Sequence, residues 1–103
     1  MIGPNAADTD LLLGNYNGTP AHVVSLLEGL RERAGSSVKI IYESGCPLID
    51  TPGFKKETAY AAAINAAALA DLVLFAGGIS PRLEGEELQV KVPGFSGGDK
   101  TNL

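Results

Sequence analysis

Residues 71–78 read DLVLFAGG, and the way this stretch is read decides the fold. Residues 72–76 are apolar without a break. A strand with one wet face alternates apolar and polar side chains. An unbroken run of this length fits a strand covered on both faces, as parallel strands are. Two other stretches share the character: VKIIYESG at 38–45, and a brief Met1-Ile2 that runs into GPNA.

Two helical patterns separate these three segments. In TPAHVVSLLEGLRERAG, residues 19–35, Thr19 can cap the first turn and Pro20 suits the first helical position. Val23, Leu26, Leu27 and Leu30 follow the i, i+3, i+4, i+7 spacing of one apolar stripe. Arg31 and Arg33 favour the negative end of the helix dipole, and Gly35 can close the helix. The second pattern, residues 54–69, is rich in alanine, the best helix former and small enough for close packing on a sheet. Residues 8–18, DTDLLLGNYNG, read as a loop with a short turn that packs on the core.

The order strand, helix, strand, helix, strand predicts an α/β protein. Right-handed crossovers would make it a three-layer α/β/α sandwich, Rossmann-like, with a short, mostly parallel sheet. Such a sheet gathers its carboxyl-end loops on one rim, where ligands of open α/β sheets bind. Those loops are GPNAAD, ESGCPL and GGISPRLEGEE.

Composition narrows the function. Twelve acids against eight bases give a net charge of −4, and the bases are scattered from Arg31 to Lys100 rather than clustered. That disfavours nucleic acid, whose binding needs basic side chains against phosphates. No apolar run approaches the roughly 20 residues that cross a bilayer, so no membrane role is expected. One cysteine and one histidine cannot build a metal cluster from the usual soft ligands. His22 and Cys46 read as packing or surface residues, and Ser44 and Ser80 have no base in a nucleophile motif. There is no G-x-G-x-x-G after a strand and no P-loop lysine. No basic-then-apolar leader reads out of MIGPNAAD, and the compartment stays open.

The sharper signal is the acid group Glu84, Glu86 and Glu87, placed just beyond the third apolar segment. By charge alone a solvated loop accounts for it. Three features favour a site: Gly77-Gly78 lets backbone approach a ligand, the loop leaves the ligand-binding rim, and Arg82, Asp99 and Lys100 offer groups suited to sugar hydroxyls or a carboxylate. A glutamate there can act as a general acid where burial raises its pKa.

IGPNA at 2–6, GNYNG at 14–18, YESGC at 42–46, ADLVLFAGG at 70–78, then LEGEE at 83–87 and GGDKTNL at 97–103 occur in that order. Together, over essentially the whole chain, they resemble the carboxyl-side α/β sandwich domain of glycoside hydrolase family 3, above all its β-xylosidase and β-glucosidase branch. Lys100 stands where that family's Gly-Asp-Arg carries arginine.

The resemblance implies that residues 1–103 are the first half of the domain, without the catalytic (β/α)8 barrel that precedes it. It implies a retaining, exo-acting β-glycosidase that hydrolyses O-glycosyl bonds without metal or cofactor. The barrel would supply an aspartate nucleophile and this domain the acid/base glutamate. That glutamate would be Glu84, with Glu86 and Glu87 as alternates, and Arg82, Asp99 and Lys100 would shape the sugar subsite. The partners implied are a β-linked oligosaccharide or glycoside and the barrel, with the isolated chain inactive and prone to self-association. A periplasmic or secreted parent is compatible with this reading. A non-catalytic α/β binding or scaffold module is the alternative, as is a regulatory domain for a small sugar or nucleotide.

Overall fold

The computed structural model describes residues 1–14, 18–84 and 88–101. Two helices stand out, α1 (Leu26–Ala34) and α2 (Lys56–Ala68). Two short strands, β1 (Phe95–Ser96) and β2 (Asp99–Lys100), form an antiparallel hairpin, with Phe95 opposite Lys100 and Ser96 opposite Asp99. Single 3-10 turns lie at Asp10–Leu13 and Gly35–Ser37.

The three-layer α/β/α sandwich with a mostly parallel sheet is therefore not what this chain forms: the sheet among the described residues is the two-stranded antiparallel hairpin. The three apolar segments are extended but meet only at isolated parallel bridges, Ile2 with Glu43 and Ile2 with Phe75. The backbone bonds explain why. Ile2 donates to the Leu74 carbonyl at 2.8 Å and accepts from the Ala76 N–H at 2.8 Å. Met1 O and Gly3 N turn the other way, to Glu43 N at 3.2 Å and Glu43 O at 3.1 Å. Backbone groups alternate sides along a strand. The segment at 1–3 thus lies between the other two and divides its bonds between them, one bridge to each.

Nor are the apolar segments covered on both faces. Leu72 and Phe75 are 72% and 71% exposed, and among the described residues the buried apolar core comprises Ala6, Leu27, Ala63 and Ala66. The Cα radius of gyration, 15.6 Å, exceeds the ~13 Å typical of a compact domain this long. Small alanines on α2 bury little area, while Ile64 on that helix and Leu69 at its C-cap face outward.

The first helix starts later than Thr19 suggests. Ser25 is its N-cap: its hydroxyl accepts from the Glu28 N–H at 3.2 Å, and the Glu28 carboxylate accepts from the Ser25 N–H at 2.9 Å. This reciprocal capping box satisfies two otherwise orphaned donors. Another first-turn amide, Leu27 N, donates to Ala6 O at 2.8 Å and pins the helix start to the loop after the first segment. At the other end Gly35 takes a φ of 58° and its N–H bonds Arg31 O.

Hydrogen bonds from the Ser25 backbone and hydroxyl hold the Glu28 carboxyl below its ordinary value. A depressed carboxyl stabilises the fold above its unfolded pKa, and that contribution is lost as pH falls through the folded one. Ser25→Ala is expected to destabilise the chain by about 1 kcal/mol. Far-UV circular dichroism during urea unfolding checks this, and acidification below the glutamate range should narrow the gap between the two proteins.

Candidate functional site

The loops that follow the three extended segments supply the candidate site. The loop at 3–8 is tied to the third segment, because Asn5 N donates to Ala76 O at 3.1 Å. Asn5 is buried beside Gly78, where an added Cβ would stand 3.4 Å from Asn5 Nδ2. That is an ordinary contact distance, so it is the φ of 142° at Gly78, more than space, that favours glycine there. Ser80, 2% exposed, anchors the next turn: its carbonyl accepts from Leu83 N at 2.9 Å and Glu84 N at 3.1 Å. Among the described residues, the side-chain atoms Asn5 Oδ1 and Ser80 Oγ are both buried without a protein partner. Glu84 ends this turn and is exposed to solvent.

Lys100 projects from β2 onto a groove of about 470 Å³ at the same end of the extended segments. Cys46, Phe75, Gly77, Gly78 and Phe95 also line it. The groove pairs two aromatic rings with a cation and with glycine backbone, a mixture that suits an amphipathic ring such as a sugar. Asp99 precedes Lys100 on β2 and is exposed. The structure thus sets Lys100 and Gly77-Gly78 along one groove, while Glu84 is not among the residues lining it. Glu86 and Glu87 lie outside the described residues.

Arg82 has other partners. Its Nη2 bonds Asp8 Oδ2 at 2.5 Å and its Nη1 bonds Asp10 Oδ2 at 2.9 Å. Asp8 Oδ1 accepts in turn from Asp10 N at 2.9 Å and Leu11 N at 3.2 Å, capping the 3-10 turn. Burial pushes the Asp8 carboxyl up, but the bonds from Arg82 and from the Leu11 and Asp10 amides, with the guanidinium charge, outweigh it and hold it below its ordinary value. The Asp8 bond, with the charges of both aspartates, raises the Arg82 pKa. Sequence reasoning missed both aspartates. The D-x-D spacing ahead of an apolar run hinted at a side-chain-capped turn, but nothing in it pointed to Arg82. The aromatic lining from Phe95 was missed too.

Among the described residues no three His, Cys, Asp or Glu side chains are grouped to hold a metal ion. No helix of these residues is long and apolar enough to cross a membrane.

No protein-family profile matches the chain, and no solved structure matches it. It is similar to a beta-xylosidase of Formosa agariphila, 38% identical over an alignment of 109 residues that takes in 100% of this chain and 13% of that protein. It is 40% identical over 88 residues to the exo-1,4-beta-xylosidase xlnD of Aspergillus niger, covering 85% of this chain and 10% of that enzyme. With a xylan 1,4-beta-xylosidase of Xylanibacter ruminicola it shares 44% identity over 48 residues, 47% of this chain and 5% of that protein. The relatives are β-xylosidases, and this chain matches one short segment of them, 13% or less of their length.

Proposed function

We propose that the chain is the acid/base segment of a glycoside hydrolase family 3 β-xylosidase, from the carboxyl-side domain of that family, with Glu84 as the proton donor. The observation that carries this reading is the 38% identity to a β-xylosidase along the whole of this chain. Glu84 stands on the turn that begins at Ser80, in the loop that follows Gly77-Gly78, and its N–H bonds the Ser80 carbonyl.

In the proposed reaction a carboxylate on the barrel domain attacks the anomeric carbon of a β-linked xyloside while Glu84 protonates the departing oxygen. Glu84 then takes a proton from the water that releases the sugar. Such a pair stands roughly 5–5.5 Å apart. In this reading Lys100 and Asp99, on the hairpin, bond sugar hydroxyls. With the nucleophile on another domain, the 103 residues alone cannot perform the double displacement.

Two results follow for the isolated chain. It should not hydrolyse aryl β-xylosides, whereas the full-length protein should; turnover by the purified 103 residues, rising with their concentration, would refute the division of labour. It should also self-associate, because an extended run with Leu72 at 72% and Phe75 at 71% exposure borders an apolar groove of about 680 Å³. Sedimentation of Leu72→Lys/Phe75→Lys against the parent chain tests this, with a shift toward monomer expected.

A further inference from the structure

The turn that carries Glu84 is held at its start by buried Ser80, yet Glu84 itself lies in solvent. Among the described residues, the hydrogen bonds that join residues 80–84 to a distant part of the chain are those of Arg82, reaching back 74 residues to Asp8 and 72 to Asp10. Asp8 is not a loose partner. Its second oxygen is fixed by two backbone amides, so the guanidinium binds a carboxylate whose own orientation is set.

We infer that Arg82 is a positioning residue: its fork, spanning Asp8 and Asp10, fixes the turn that presents Glu84, and it serves the reaction through that placement rather than by touching the sugar. This rests on the reading of Glu84 as the acid/base.

Three physical points support it. A planar guanidinium offers two separate N–H groups to two carboxylates, which one ammonium cannot do with the same geometry. Each terminal nitrogen already directs one N–H at an aspartate, which turns the fork toward Asp8 and Asp10. And the Asp8 end of the fork is the more enclosed, its side chain 18% accessible against 70% for Asp10, so solvent screens that bond less and it holds the turn more firmly. A guanidinium left loose two residues from Glu84 would also be drawn to that carboxylate, and the aspartates keep it elsewhere.

The test uses the full-length protein and an alkyl β-xyloside, whose poor leaving group needs a proton. Arg82→Met should lower kcat by about 10- to 100-fold, the upper figure being the scale of a catalytic group misplaced by roughly 1 Å, with KM nearly unchanged. Hydrogen exchange at the Leu83 and Glu84 amides should quicken, and Arg82→Lys should recover only part of either change. Because Asp8 also caps a turn, the charge reversal is placed at Asp10. Asp10→Arg/Arg82→Asp should restore most of the rate and the amide protection that Arg82→Asp alone removes. A raised KM with kcat intact, or a reversed pair no better than Arg82→Asp, overturns the inference. Failure of the acid/base reading looks different: Glu84→Gln would then spare the alkyl xyloside, while amide protection in the Arg82 and Asp10 variants still decides whether the clamp sets the turn.

Discussion

Glu84→Gln in the full-length protein should slow hydrolysis of an alkyl β-xyloside by about 10²–10⁴-fold, the usual contribution of a placed general acid. The same variant should cleave a dinitrophenyl β-xyloside far less impaired in its first step. The contrast follows from charge. An alkoxide cannot leave unprotonated, so losing the donor carries its full weight, whereas a dinitrophenolate is already a stable anion. Glutamine keeps the shape and one acceptor oxygen of glutamate but has no acidic proton. The backbone on which the side chain stands should persist, because the Glu84 N–H and its Ser80 carbonyl partner are untouched. Steady-state rates across leaving groups of graded acidity read this out as a steepened dependence. Equal losses on alkyl and dinitrophenyl substrates would remove Glu84 from the role. Azide should rescue the variant on the activated substrate, since a small anion needs no general base to reach the anomeric carbon.

How far these features can be read from the residues depends on the range of the interaction. The alanine-rich helix is legible because its propensity is local, and it runs Lys56–Ala68 within the span expected. The capping box of α1 is equally local, with Ser25 and Glu28 three residues apart, but Thr19 and Pro20 offer a competing start upstream. The serine prevails because Ser25 and Glu28 satisfy each other's amides. Thr19 has no such partner in the sequence: His22 stands where a box begun there would need Glu or Gln. The sheet departs from expectation for a different reason. Apolar character predicts that a segment prefers burial, not that a cover exists, and the segment at 1–3 meets its two neighbours only at single parallel bridges. Of the candidate residues, Glu84 and Lys100 stand out in the sequence by charge and position, and it is Lys100, not Glu84, that lines the groove. The link from Arg82 to Asp8 and Asp10 spans 74 and 72 residues, and a lone sequence carries no mark of such a pair.

The small centre where the three extended segments meet should be the least tolerant place in the chain. An alanine Cβ at Gly3 would stand 2.0 Å from Ala76 O, 2.6 Å from Ala76 C and 2.9 Å from Ala76 N, all of them backbone atoms. Gly3 also has a φ of 131°, which side-chain-bearing residues rarely adopt. Relief requires the third segment to move off the first, breaking the Ile2–Leu74, Ala76–Ile2 and Asn5–Ala76 hydrogen bonds together. The expected loss is about 4 kcal/mol or more, the range reached by strain combined with a broken hydrogen-bond network, and a large share of the total stability of a small domain. Gly77→Ala looks as crowded, with Phe75 ring atoms at 2.3 and 2.4 Å, yet should behave otherwise. The obstacle there is a side chain of a residue 71% exposed, free to turn into solvent, so a change within about 1 kcal/mol is expected. Urea midpoints of the two variants, measured with the same slope, decide the matter. A Gly3→Ala protein as stable as Gly77→Ala would mean that the first and third segments are not held together by this contact, and the rim built on their ends would lose its physical basis.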